Sequence, residues 1–331
     1  MKIKLLTTII AGVLLAGCGG GNDNSVDGGG DKDKKTTPVL AFDGAINGMV
    51  ASYTCADGTS GTTTTKTDGY GFVTVISDTF ADKPESCSVV LTVVTPNDYD
   101  PDTDLPLAVD MSNGKNMSNV VYTVPKGLLE KGQKIAATPF TTLVDKAIKQ
   151  SGEANSANVA IDAIIEEVFK DLGINTSIVD PKKLMSDPAA TLKALDSTVA
   201  QDIVAKAMVL SDVLITHKDN TDISPADIAA VTTTVANDLV KKNPYFPAAD
   251  EGSSDQIYVD LSDELADKGN FDTAASGTVP PVVETANKNP IVVPDADIPD
   301  PENPPVDPTP EPTPPPTGGT GGSGDGGGNG N

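Results

Sequence analysis

The chain has no tryptophan and no arginine, a single histidine, three cysteines and only 4% aromatic residues. Each shortage excludes something. All 23 basic residues are lysines, set against 47 acids for a formal net charge of −24. Nucleic acids and anionic headgroups are held by basic, usually arginine-rich, stripes. A chain this acidic repels them, so no nucleic-acid partner is expected. One histidine excludes multi-histidine zinc sites and bis-histidine haem. A Ser-His-Asp triad would have to be built on His217. That residue closes an apolar-periodic stretch beside Lys218, which predicts a cation at a helix C-terminus, favoured by the dipole. Without tryptophan there is no indole to stack a sugar. There is also no G-x-S-x-G elbow and no glycine loop opening a helix for phosphate. The expectation is a protein that is not an enzyme and carries no cofactor. Its core must be built from Val, Ile, Leu and Ala.

What is present begins with an address. Met1–Lys4 carries two lysines, and Leu5 to Ala16 is an apolar run broken only by Thr7, Thr8 and Gly12. The run is too short for a permanent bilayer span. It ends in Leu15-Ala16-Gly17-Cys18, small residues before a thiol. This resembles the lipobox of bacterial lipoproteins. The resemblance implies a signal peptide over 1–17, cleavage before Cys18, a diacylglycerol on its sulfur and N-acylation (palmitate among the chains). Gly19 stands where an Asp would suggest inner-membrane retention, so the resemblance points to the bacterial outer membrane, with the chain lipid-anchored; an anchor, a tether and a non-catalytic β part together suggest exposure at the cell surface. Several acyl chains anchor far better than one, and the membrane is thus the one partner the sequence names. Residues 18–37 lack an apolar period and read as a flexible tether.

Cys55 and Cys87 form an even pair in an exported chain. A disulfide between two strand-like runs is expected, stabilising by about 3 kcal/mol in the chain-entropy account. No Cys-x-x-Cys spacing suggests redox work.

Two compositions follow. From 38 to 125, short Val/Ile/Thr/Tyr/Phe runs are punctuated by Asp-Gly and Asn-Gly, the pattern of strands and hairpins. The clearest piece is Thr62–Thr67, the turn Asp68-Gly69, then Tyr70–Ile76, read as strand, turn, strand. With Phe42-Asp43-Gly44-Ala45-Ile46-Asn47-Gly48 upstream and Thr65, Thr67, Asp68, Gly71 and Phe72 at hairpin spacing, this part resembles the transthyretin-like, carboxypeptidase-regulatory-like β-sandwich of bacterial surface proteins. The resemblance implies a fold and no activity.

From about 138 to 242 the period turns helical, within a helical domain expected over 126–271. Thr138-Pro139 opens one helix; a second runs from about 156 to 172, before Gly173. Asp187-Pro188 opens a long third reaching about 217, and Ser224-Pro225 a fourth ending at Lys241-Lys242. Four capped helices predict a bundle-like domain. Residues 257–261 add a strand or cap the bundle. The whole reads as α+β: a small disulfide-linked β-sandwich, then a four-helix bundle-like domain. Residues 272–331 form a disordered tail: fourteen of the 26 prolines fall between Pro280 and Pro316, and nine glycines in the last fourteen residues.

One constellation suggests a metal. Asp98, Asp100, Asp102 and Asp104 alternate along 97–104, and a hard Ca²⁺ takes six to eight oxygens. Counted from Asp98, Thr103 and Val109 stand where an EF-hand needs Gly and Glu, so the candidate is a looser β-loop calcium site.

The function expected is non-enzymatic: a surface-exposed binding or structural lipoprotein, in adhesion or envelope interaction, with a protein or glycan partner the sequence does not identify. The alternatives are a periplasm-facing accessory for assembly or secretion of an envelope component, and a small-ligand carrier.

Overall fold

A computed structural model describes residues 34–94, 106–152 and 160–280 and the backbone of a short strand at 286–288. Cys18, the acidic loop of Asp98, Asp100, Asp102 and Asp104, and residues 289–331 of the expected tail lie outside the described residues. Two expected bounds move: the first strand already begins at Thr36, inside the expected tether 18–37, and the tail expected from 272 starts later, because a helix runs to Ala275 with Ala274 buried against the other helices. The described chain is mixed α+β and belongs to one compact unit.

The first half is strand-rich: β1 (Thr36–Ala41), β2 (Ile46–Asn47), β3 (Val50–Cys55), β4 (Ser60–Thr62) and β5 (Phe72–Ile76) come first. A short helix α1 (Asp78–Asp82) precedes β6 (Cys87–Thr92), β7 (Val109–Asp110), β8 (Tyr122–Val124) and β9 (Ile135–Ala137). Helices dominate thereafter, as α2 (Pro139–Gln150), α3 (Ile161–Asp171), α4 (Pro181–Ser186), α5 (Pro188–Ala194), α6 (Ser197–His217) and α7 (Pro225–Lys242). The described chain closes with β10 (Gln256–Tyr258), α8 (Ser262–Ala266), α9 (Lys268–Ala275) and β11 (Ala286–Lys288).

One sheet has the order β4-β3-β6-β8, another β5-β1-β9, and β2-β7 and β10-β11 form two-stranded pairs. Period-two burial explains the first sheet. In β6, Cys87, Val89 and Leu91 are buried while Ser88, Val90 and Thr92 are half-exposed, which pins the register because a one-residue slip would turn the apolar set outward. Cys55 faces Cys87 across β3 and β6, and their sulfurs are joined. The expected disulfide therefore locks two neighbouring strands and closes a loop of 32 residues in sequence.

The expected strand–turn–strand piece at 62–76 takes another form. β4 pairs with β3 and β5 with β1, in different sheets. The intervening segment crosses between them, held by side chains: Thr67 Oγ1 accepts from Met49 N (2.9 Å), and Asp68 Oδ1 from Tyr70 N and Phe72 N (both 2.9 Å). Thr and Asp satisfy the backbone locally, in place of a ladder partner.

β9 lies parallel to β1, Val39 opposite Ile135, and runs straight into α2. Thr138 caps that helix in a reciprocal box with Thr141, and Pro139 occupies the first turn, where its missing N–H costs nothing. Thr142 Oγ1 then accepts from Thr123 N on β8 (2.9 Å), and Thr123 Oγ1 donates to Asp145 (2.9 Å). The first long helix is thus stitched to a sheet edge.

The third helix expected over 187–217 is two. α5 ends as Leu195 turns extended (ψ 160°), and α6 starts after Asp196 (ψ 145°). The extended backbone at Leu195 and Asp196 breaks the helical ladder without a side-chain cap from Asp196, and the Leu195-Asp196-Ser197 corner redirects the chain. Along α6, residues 205–214 are all buried; the helix is the centre of the fold, packed by α7 and by Phe140, Leu143, Phe169 and Leu239. A second cluster gathers Val39, Val75, Phe80, Val89, Leu91 and Tyr122, from strands of both larger sheets and from α1. Ile257, Val259 and Leu261 join the helical cluster, so residues 257–261 cover the helices while β10 pairs with β11.

Candidate functional site

Charged side chains are rarely buried unless paired. Here a group of them is buried where α6 meets the strands. Lys115, Asp212, Asp110, Ser211, Asp43 and Tyr122 are each at most 6% exposed.

Local structure aims each of them. Asp43 sits in the tight turn after β1, where Phe42 bridges Ala45. Gly44 there has φ +97°, and a Cβ on it would stand 2.6 Å from Asp110 Oδ1. Glycine therefore permits both the backbone and the close approach of the two acids. Asp110, opposite Ile46 in the β2–β7 pair, accepts from Ser112 N (2.8 Å) and Ser112 Oγ (2.6 Å). The turn after β7 closes through Gly114 N to Asp110 O and Asp110 N to Lys115 O. Asn113 Oδ1 holds Lys115 N at 2.9 Å, so the turn presents Lys115 to α6.

There Lys115 Nζ pairs with Asp212 Oδ1, with side chains 3% and 0% exposed. Asp212 Oδ2 accepts from Leu261 N at 2.9 Å. One residue back on α6, Ser211 Oγ meets the Tyr122 hydroxyl at 2.6 Å, and that hydroxyl donates to Asp43 Oδ2 at 3.2 Å. Asp43 Oδ1 is buried with no partner.

Burial and neighbours decide the charges. Burial, reinforced by the Asp110 charge, pushes the Asp43 carboxyl up to about 8, against the pull of Lys115 and Ser211. Asp110 is pushed up to about 6 by burial, partly offset by Ser112. Burial likewise raises Asp212 to about 6 despite Lys115. Burial pulls the Lys115 ammonium down, but Asp212, Asp260 and Asp43 outweigh it and the net direction is up. Tyr122 is raised well above its ordinary value by burial and then by Asp43. At neutral pH the cluster thus holds a protonated Asp43 beside a Lys115–Asp212 pair. Chemically the group offers an ammonium, one carboxyl in direct contact with it, and a buried acid able to hold or pass a proton.

The cluster was not singled out from the sequence. Its signal is there: Ser211-Asp212 interrupts the apolar run Met208-Val209-Leu210 and Val213-Leu214-Ile215. A polar pair inside a helix buried all round requires partners.

The other sequence candidates fall elsewhere. Cys55 and Cys87 are a disulfide in the sheet, away from this cluster. His217 stands in the last turn of α6, where the sequence predicts it, but its side chain is turned inward. Its ring is buried, Nε2 donates to Leu265 O (2.8 Å), and Phe271 meets it edge-on at 4.7 Å. The ring docks α8 and α9 because an aromatic side chain in the last turn of α6 gains more from packing than from solvent. Among the described residues no group of three or more His, Cys, Asp or Glu is arranged to hold a metal ion, and no helix is long and apolar enough to cross a membrane. A hollow of about 250 Å³ lies along Ile174, Ile178, Val199 and Ile203.

Compared with known proteins, the chain matches no family model, no curated protein and no solved structure.

Proposed function

We propose that the chain is a bacterial outer-membrane lipoprotein whose folded body is displayed at the cell surface as a non-enzymatic binding or structural module. The observation that carries the reading is the run of two lysines, an apolar stretch and Leu15-Ala16-Gly17-Cys18, because that order of charge, apolar length and small residues before a thiol suits lipid attachment and cleavage. The Cys55–Cys87 disulfide supports an oxidising compartment. The acidic, arginine-free composition supports a solvated exterior.

The finer architecture belongs to the same proposal. The β4-β3-β6-β8 and β5-β1-β9 sheets share one apolar cluster, which favours a small sandwich. Helices α2, α3, α6 and α7 share another, which favours a four-helix arrangement. On this reading the lipidated Cys18 and its tether hold the body off the membrane, and the acidic loop of Asp98, Asp100, Asp102 and Asp104 takes up calcium.

The test is labelling with an alkyne fatty acid in growing cells, followed by protease treatment of intact and lysed cells. Label on the native chain and none on Cys18→Ala, with cleavage of the Pro-rich segment on intact cells, supports the reading. An unlabelled native chain overturns the anchor, and protection until lysis turns the body toward the periplasm.

A further inference from the structure

We propose that Lys115 and Asp212 react with each other to form an intramolecular amide cross-link, joining the strand-rich half of the chain to α6.

The two groups are in direct contact, Nζ against Oδ1, and both are shut away from water. Burial is the first requirement, because water hydrates an ammonium and a carboxylate and keeps them as ions. In a dry interior each ion loses that hydration, so the neutral pair of free amine and carboxylic acid comes within reach. The upward push of burial on Asp212 acts in this direction; the charge of Asp212 on Lys115 acts against it, so the reaction needs a proton carrier beside the pair.

Asp43 fills that part. It is buried, its Oδ1 has no hydrogen-bond partner, and it interacts electrostatically with both Lys115 and Asp212. Tyr122 and Ser211 fix its other oxygen side, through the Tyr122 hydroxyl at 3.2 Å and the Ser211–Tyr122 bond at 2.6 Å. Asp43 is a positioning and proton-holding neighbour in this scheme.

The remaining need is a donor for the oxygen that gathers charge as the amine adds. Leu261 N already donates to Asp212 Oδ2 at 2.9 Å, the arrangement that stabilises an oxyanion. The step then balances without any co-reactant. The Asp43 carboxyl gives its proton to Oδ1 and takes one from Nζ, so that it ends as it began, and the free amine adds to Cγ. The Cγ–Nζ bond forms, and Oδ2 becomes the amide oxygen facing Leu261 N. The Cγ–Oδ1 bond breaks, and Oδ1 leaves as water, the net balance removing two of the three ammonium protons. Contact geometry of this kind replaces a bimolecular encounter by an intramolecular one. The bond would close a loop of 97 residues in sequence. It stands independently of the proposed cellular location.

Peptide mapping of the full chain tests it. Trypsin cuts this arginine-free chain only after lysine, and an acylated Lys115 resists it. The expected result is a branched product, in which the peptide containing uncut Lys115 is joined to the one spanning 207–218, lighter by one water than the sum of the two. Fragmentation should place the link at Lys115 and Asp212. Recovery of the two peptides separately from the folded protein, with cleavage after Lys115 and no mass loss, overturns the proposal. In Lys115→Met the branched product must vanish. Asp43→Asn, which keeps the acceptor for Tyr122, is expected to slow appearance of the link after refolding by about a hundredfold or more, the usual worth of a placed proton carrier. An unchanged rate in folded Asp43→Asn overturns the part given to Asp43.

Discussion

A carboxyl group held near pKa 8 inside a protein makes stability depend on pH at a residue one can name. Asp43 is raised from an ordinary 3.8 to about 8, chiefly by burial. An acid whose folded value lies above its unfolded value binds its proton more tightly when folded. Its contribution is complete below the unfolded value and is lost as pH rises toward the folded one, here between pH 4 and 8. Asp110, pushed to about 6, acts in the same direction below pH 6, as does Asp212 in chains where it is not linked to Lys115. From pH 6 to pH 8, Asp43 alone should remove about 2 kcal/mol of stability. Denaturant titrations at the two pH values measure this. Asp43→Asn, uncharged throughout, should flatten the slope; a wild-type midpoint that stays constant or rises toward pH 8 counts against a protonated Asp43. The acid was visible in the sequence only as half of an Asp-Gly turn. Its burial depends on Asp110 and α6, which arrive 67 and more residues later.

At the scale of single elements, local rules carried well where the cap was chemical and short-range. The Thr138-Pro139 start of α2 and the Ser224-Pro225 start of α7 are both reciprocal capping boxes. Thr138→Ala should cost about 1 kcal/mol, and more than an exposed cap would, because Thr138 is buried and its loss leaves Thr141 N without its acceptor (3.1 Å) away from water. Thermal unfolding of the variant measures it; an unchanged midpoint would remove the cap from the account of α2. The alternation in β6 and the pairing of Cys55 with Cys87 were likewise legible. Cys55→Ala with Cys87→Ala should lower stability by about 3 kcal/mol in the loop-closure account, read as a fall in the denaturant midpoint that reducing agent reproduces in the native chain. The piece at 62–76 failed as a hairpin because turn signals report where a chain bends and not which strand it next meets. The extended corner at Leu195 and Asp196 was missed for a related reason: the apolar stripe continues across it, and only packing decides that the stripe belongs to two helices.

The molecule as a whole is joined through its buried seam. Lys115 and Asp110 come from the strand-rich half, Ser211 and Asp212 from the central helix, and Leu261 N from the segment that follows α7. β9 and α2 form a second seam, through Thr123, Thr142 and Asp145. Two apolar clusters tied in this way should unfold together. Scanning calorimetry is expected to give one transition, with calorimetric and van't Hoff enthalpies equal. Lys115→Met leaves Asp212 buried without its cation, a change that costs about 3–5 kcal/mol in comparable pairs, and should lower that transition or split it in two. Two separate transitions in the native chain would mean that the seam is ornamental to stability.

What the sequence determined by itself is local and compositional. An arginine-free, strongly acidic chain argues against polyanion binding, alternation and capping locate several strands and helices, and an apolar run before Leu15-Ala16-Gly17-Cys18 supplies the case for a lipid anchor. These follow because charge, period and caps act over one or two turns of chain. Tertiary structure alone decided which strands share a sheet, that His217 turns inward onto Phe271, and that Asp43, Lys115, Tyr122 and Asp212 converge. Those outcomes depend on residues up to 97 positions apart. What a carboxyl or an amine does there is set by the water that folding removes from around it.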